Sequence, residues 1–439
     1  MKIKTQAFSL WLLAALLSFF NLGGAYGQES VESTIQNLKS RDKSVRKKAA
    51  ADLGVLGQRE AEAPLDAAYR SEKDASVRGE IILSLGKIRD RAALPTLTHA
   101  LIEDSSKDVR LQAIDSILRL YIPIEEQGIV RRFLVGMKSL FAENEQTVVQ
   151  PFIDVDKEAK EALAKALLDR KRQVRENAAQ ALGSLRASDQ IPAMDRALSV
   201  SSKDARRAIV QSLGLIRNAE AGPILLRHLH DRDKEVVRQS AVALGMVKFD
   251  AAREDLRKLY TSKRDKDLKR AAAEGLALIH NAGDKDFFLE LLRNDFDDKL
   301  RELGAEGLAR IAEPATEPVV RDRLGAETKS NVKTALQFAL VSLGRTEFMP
   351  PLAEALTARF TNQAEVYLLE VGRHQNRIEL LYPYLNSGEA KIRAGVLRVL
   401  GRIGNYAAFD KIKPLVSDKD ETVAREAVQA MRILERSRQ

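Results

Sequence analysis

One apolar position recurs along this chain with a period close to 31 residues, and that recurrence restricts the fold more than any other feature. Leu53, Leu85, Ile117, Leu182, Leu213, Leu244, Leu276, Leu308, Leu340, Val371, Leu400 and Met431 are 29 to 32 residues apart, apart from a single step of 65 between Ile117 and Leu182. Around them the chain repeats itself. "RQVRENAAQALGSL" (172–185) has close copies in "KSVRKKAAADLGVL" (43–56) and "AKIRAGVLRVLGRI" (390–403). A period of this length, held over most of the chain, signals stacked supersecondary units that bury their apolar faces against one another.

Each unit reads as two helices. In "IPAMDRALSV" (191–200) Pro192 suits a first helical turn. The turn "SSKDAR" follows, then "ARRAIVQSLGLI" (205–216). There Ala205, Ile209, Val210, Leu213 and Ile216 mark one face of a second helix. The prediction is an all-α superhelix of about a dozen two-helix units. Helices about 9 Å apart would make it on the order of 100 Å long, with the second helices lining the concave side.

The recurring residues have packing roles in this scheme. The register leucines fill the core. Ala49, Ala50, Ala178, Ala179, Ala272 and Ala273 let helices approach closely, as do Gly54, Gly86, Gly183, Gly214, Gly245 and Gly401. An acid three places before the recurring valine (Asp42, Asp74, Asp233, Asp265, Asp297) is placed to cap the second helix and meet its positive end. A base follows the valine at Arg46, Arg78, Arg110, Arg175, Arg206, Arg301 and Arg393. Stacking is expected to bring the acids and bases into inter-repeat ladders along one ridge. The residues that vary between copies, Glu176, Asn177, Gln180 and Ser184 in the 172–185 copy, are expected to face outward and to read a partner.

Paired helices carrying "DxxVRxxAAxxLG" resemble HEAT repeats, in particular the short type of phycobilisome-lyase-like HEAT proteins. The resemblance covers nearly all of the chain after residue 27 and is specific for fold. It is weak for function, because such repeats serve many partners. The helical-repeat deoxyhypusine hydroxylases are similar in fold, and their iron-binding His-Glu pairs are missing from this sequence. That activity is therefore not carried over.

The step of 65 marks a break over residues 119–156, either a divergent repeat or an insertion. It concentrates Tyr121, Phe133, Phe141 and Phe152 in a chain that is only 5% aromatic. These four are candidates for partner binding, with packing in a local core as the competing reading. The chain thus divides into residues 1–27, repeats over 28–118, the break over 119–156, and repeats over 157–439.

Residues 1–27 stand apart. Lys2 and Lys4 precede the uncharged run "AFSLWLLAALLSFFNL", and small residues sit at Ala25 and Gly27. This is the layout of a secretory signal peptide cut between Gly27 and Gln28, with retention as an N-terminal anchor as the alternative. No later segment is apolar enough to cross a membrane. The expected location is the periplasm or the exterior. The chain has no cysteine, which excludes disulfides and thiol chemistry. Net charge is +9, or +7 without Lys2 and Lys4, a mild excess spread along the chain.

Sites for chemistry are hard to find. The histidines are His99, His228, His230, His280 and His374, and only "HLHD" (228–231) groups two of them, at i and i+2, which point apart on a helix. "NDFDDK" (294–299) lacks the glycine and distal glutamate of a calcium loop and reads as a helix cap. No phosphate-binding loop or nucleophile elbow occurs. No catalytic residue, metal or small-molecule cofactor is assigned. The leading reading is an exported, non-enzymatic scaffold that holds a protein or peptide on its concave face. A lyase-like enzyme or enzyme partner is the second. Nucleic-acid binding is the third; export and the lack of tryptophan after residue 27 count against it.

Overall fold

The computed structural model describes residues 31–122, 153–262, 265–294, 296–358, 361–373 and 377–437, and among these there is helix and no strand. They form two compact units, one holding residues 31–122 and 155–185, the other residues 186–437. Each is a stack of helix pairs. In the first unit the second helices are Lys43–Leu56, Ala75–Ile88, Lys107–Tyr121 and Arg172–Ser184. In the other they are Lys203–Ile216, Lys234–Met246, Lys266–Ile279, Asp298–Ile311, Ser330–Ser342, Thr361–Arg373, Ala390–Ile403 and Glu421–Ser437. Within each unit successive second helices pack on one another, and first helices pack on the second helices of their own pair.

Every register residue lies on a second helix. All are fully buried except Met431, on the Glu421–Ser437 helix, which is half-buried. The glycine after the register residue sets the spacing. A Cβ on Gly54 would lie 2.8 Å from the backbone of Ser84, and one on Gly245 would lie 2.6 Å from the Gly275 carbonyl. Second helices therefore meet backbone to backbone, at a cost of about 1 kcal/mol in helix propensity per glycine.

Both turns of a repeat are set by short acidic or amide side chains. Asp42, Asp74, Asp233, Asp265 and Asp297 are N-caps whose carboxylates accept from the first backbone N–H groups of the second helix. Asp420 does the same for Thr422 and Val423. At the other turn Asp90, Asn218, Asn281 and Asn405 each accept from the N–H two residues on, opening a single 3-10 turn that leads into the first helix. Six second helices end directly on a left-handed residue, glycine at Gly57 and Gly404 but Arg89, Arg217, His280 and Ala312 in the others, and three more reach one a residue later at Arg186, Lys248 and Gly344. His280 is thus a helix-ending residue.

The step of 65 resolves geometrically. The Leu94–Glu103 helix packs on Lys157–Ala166, and Lys107–Tyr121 packs on Arg172–Ser184. Thr98 Oγ1 donates to Glu158 at 2.8 Å across that junction. The pairs on either side of the break are therefore direct neighbours. No described helix is long and apolar enough to cross a membrane.

Candidate interaction surface

The arginine after the recurring valine does more than pair with an acid. Arg46 donates through Nη1 to the Ser40 carbonyl of its own turn at 2.8 Å. Its Nε and Nη2 reach the next repeat and grip both oxygens of Glu72 at 2.6 and 3.0 Å. Arg78 holds Asp104 in the same way at 2.8 and 3.0 Å, Arg206 holds Asp231 at 2.8 and 2.9 Å, and Arg393 holds Asp418 at 2.9 and 2.8 Å. Arg301 grips Glu327 at 2.9 and 3.1 Å, and Arg110 reaches Asp169 at 2.7 Å over the break. The acid's remaining task is local: it accepts the N–H of the residue that caps the next second helix. Asp231 takes that of Asp233 at 2.8 Å, and Glu327 that of Lys329 at 3.0 Å. One planar guanidinium thus ties two successive turns, bidentate on one side.

This corrects the expected ladder. The arginines do not pair with the capping aspartates but with a second acidic series two residues earlier: Glu72, Asp104, Asp169, Asp231, Glu327 and Asp418. Two of the capping aspartates take lysines from the preceding repeat instead, Lys43 on Asp74 and Lys234 on Asp265, while Arg270 takes Asp297 at 2.8 Å. Arg175 donates to the Asp169 carbonyl of its own turn at 2.7 Å. The electrostatics follow the geometry. Arg46 holds the Glu72 carboxyl below the usual range. Burial pushes Glu327 up, but hydrogen bonds from Arg301, the Lys329 N–H and Arg323 outweigh it and bring the carboxyl down to about 2.

The residues expected to read a partner are placed less openly than the sequence suggests. Asn177 and Ser184 are buried, and Glu176 and Gln180 are half-buried, so these four do not form an outward polar face. The helix is embedded among close neighbours, and helical positions three and four apart from the core stripe still touch them. Tyr121 is also buried. Its hydroxyl donates to Asp156 at 2.8 Å, and Arg91 lies over its ring at 5.1 Å. It packs into the repeat and offers nothing to a partner. Phe133, Phe141 and Phe152 lie outside the described residues.

The second unit carries a charge network on the face equivalent to Glu176 and Gln180. On Asp298–Ile311, Lys299 meets Glu302 at 2.5 Å, and Glu306 meets Arg310 at 3.1 Å. Arg310 then grips Glu370 on Thr361–Arg373 through two bonds of 2.9 and 2.7 Å. The Tyr367 hydroxyl donates to Glu306 at 2.8 Å, and Asn331 donates to Glu302 at 2.7 Å. Further along, Arg398 bridges Glu365 and Glu426. Burial raises Tyr367 far above its ordinary value, so it stays a donor. Burial also pushes Glu306 up, but Arg310, Lys299 and Tyr367 more than offset this and keep it ionised. Sequence periodicity could not reveal this network, because several of its bonds join residues about 60 positions apart.

Histidine and acidic motifs take structural places. His228 Nδ1 lies 2.9 Å from the Ile224 carbonyl, and Asp231 belongs to the Arg206 rung. Among the described residues no group of histidine, aspartate and glutamate side chains is placed to hold a metal ion.

A family model for HEAT repeats matches residues 31–117, 192–277 and 378–439, together more than half of the chain. The chain belongs to the HEAT-repeat family. Its fold is shared with importin β, which is 12% identical over 94% of this chain at a TM-score of 0.51; this chain spans 63% of the importin. An engineered protein is 20% identical over 92% of this chain and 98% of its own, at a TM-score of 0.34. The E. coli protein YibA is 16% identical over 64% of this chain and 91% of its own, at 0.40. No curated protein gives a significant match. A HEAT-repeat stack is a scaffold suited to protein interaction, because it presents one extended face assembled from many short units.

Proposed function

We propose that this HEAT-repeat chain is an exported, non-enzymatic scaffold that holds a protein or peptide against the concave face of its second helices. The observation that carries the reading is the contrast between two kinds of position on those helices. Register positions stay apolar in every copy, and the ladder position is basic in most of them. Among the positions that keep some exposure, the equivalents of Glu176 are Arg207, Arg238 and Arg270, and the equivalents of Gln180 are Gln211, Glu274 and Glu306. A constant frame with a changing face suits the reading of an irregular partner surface. The period of about 31 residues and the "DxxVRxxAAxxLG" pattern also support the short, phycobilisome-lyase-like repeat type. Lys2 and Lys4, the apolar run and the Ala25–Gly27 site support export with cleavage before Gln28.

The test places a photo-crosslinking residue at Gln211 or Glu274 on the second helices, and at Arg70 or Lys258 on the first helices, in the native host. The same partner is expected from Gln211 and Glu274, with little from the other two, and the captured protein should begin at Gln28. Equal capture from the first helices, or none from any position, overturns the reading. An intact N-terminus in the membrane fraction would make residues 1–27 an anchor.

A further inference from the structure

We propose that residues Glu306, Arg310, Tyr367 and Glu370 form a clasp that fixes the curvature of the second unit by joining second helices that are not neighbours. The ordinary rungs link each repeat to the next, with partners 25 or 26 residues apart. The clasp reaches one repeat further. Arg310 to Glu370 spans 60 residues and Tyr367 to Glu306 spans 61, passing over the Ser330–Ser342 helix between them. That helix supplies the floor. Phe338 is fully buried and lies flat beneath the Tyr367 ring, with centroids 4.5 Å apart and planes 4° from parallel. Tyr367 thus uses Phe338 as a support and carries its hydroxyl past it to Glu306. Gln363 steadies the hydroxyl at 2.7 Å.

A nearest-neighbour rung constrains one interface and leaves the angle at the next one free. A second-neighbour bond constrains two angles together. Second helices about 10 Å apart place the clasped pair roughly 20 Å apart along the stack. Opening both interfaces by about 5° each would separate the clasped groups by on the order of 3 Å, which no hydrogen bond survives. All four side chains are largely or fully buried, so water competes weakly for their bonds. The face proposed above to hold a partner would then be held at one curvature in the free protein. The clasp stands on geometry whether or not a partner docks there.

The chain has no cysteine, so spin labels can be placed cleanly on Lys266→Cys and Lys391→Cys, two exposed positions flanking the clasp. Pulsed dipolar spectroscopy on the full chain should give a narrow distance distribution. Arg310→Met with Glu370→Met removes the charged tie while leaving Glu306 with Lys299 and the Tyr367 hydroxyl, and should broaden the distribution and lengthen its mean by about 3 Å. Arg301→Met with Glu327→Gln cuts an ordinary rung lying between the labels and should leave the distribution unchanged. If the first variant loses helical signal, Tyr367→Phe decides, since it keeps the stack on Phe338 and loses only the bond to Glu306; a measurable broadening is expected. An unchanged distribution in a folded clasp variant overturns the proposal, as does equal broadening in the rung variant.

Discussion

The Arg301–Glu327 rung allows a worked test of whether the ladder stabilises the stack. Both side chains are buried, and Arg301→Leu strands the carboxylate. Breaking a buried pair from one side costs about 3–5 kcal/mol. Glu327 keeps Arg323 at 2.8 Å and the N–H groups of Thr328 and Lys329 at 2.9 and 3.0 Å, so the lower end applies. A loss of about 3 kcal/mol corresponds to roughly 100-fold faster opening. Repeat stacks open locally, so the assay is native-state hydrogen exchange in peptides from Glu317–Ala326 and Ser330–Ser342 rather than a global melt. Replacing both residues by leucine should recover part of the loss, though the Lys329 N–H then lacks its acceptor. The pH dependence gives a second reading. The Glu327 carboxyl sits at about 2 in the folded chain, against about 4.3 for an unperturbed glutamate. A depressed acid contributes stability above its unfolded pKa and loses it as pH falls through the folded one. The stability gap between the parent and Glu327→Gln should therefore be constant above about pH 4.3 and shrink towards pH 2. Exchange accelerated less than about 5-fold by Arg301→Leu, with a gap flat across that window, would refute the reasoning.

Three further outcomes follow from the packing. Gly245→Ala should destabilise by about 1–3 kcal/mol, because its Cβ would meet the Gly275 carbonyl at 2.6 Å, whereas Gly325→Ala, on an open part of its helix, should stabilise by up to about 1 kcal/mol; denaturation midpoints of the two variants will show opposite shifts. Asp265→Ala removes a cap and the partner of Lys234, and should cost about 1 kcal/mol, seen as faster exchange in the first turn of Lys266–Ile279. Replacing residues 123–152 by a short glycine-serine linker should leave exchange in Lys107–Tyr121 and Arg172–Ser184 within about 3-fold of the parent, because those helices already pack directly and Arg110 already holds Asp169.

Much of the frame was legible in the sequence because each repeat solves the same local problem. The aspartate three places before the recurring valine caps its helix at Asp42, Asp74, Asp233, Asp265, Asp297 and Asp420, and the register leucines are buried in each copy. The partners of the arginines were readable too, as an acid 25 or 26 residues later and two before the next cap: "EKD" at 72–74, "DRD" at 231–233 and "DKD" at 418–420. That signal is hidden by its neighbour, since the capping aspartate and the gripped acid stand two residues apart and only the geometry separates their tasks. The exposure of Asn177 and Ser184 was misjudged for a different reason, while Tyr121 follows the competing reading and packs in a local core. A helix packed closely on its neighbours has buried flanks beyond its core stripe, and the width of those flanks depends on how closely the helices approach.

The clasp was beyond any periodic reading, and the reason bears on how the molecule works. A repeat pattern specifies what each unit does to the next and is silent on what it does to the one after. Curvature accumulates over several interfaces, so it is a property of sums that no single copy encodes. Departures from the pattern are where such a property can be written. In the 298–373 region Phe338 puts an aromatic ring at a place where the other copies carry none, and Tyr367 lies over it to reach Glu306. The same residues that break the repeat rule therefore set a constraint across two interfaces. A scaffold whose neighbours are joined by interchangeable rungs but whose bend is set by one irregular cluster can alter its curvature by changing that cluster alone, leaving the stability of every individual repeat where the rungs and register leucines put it.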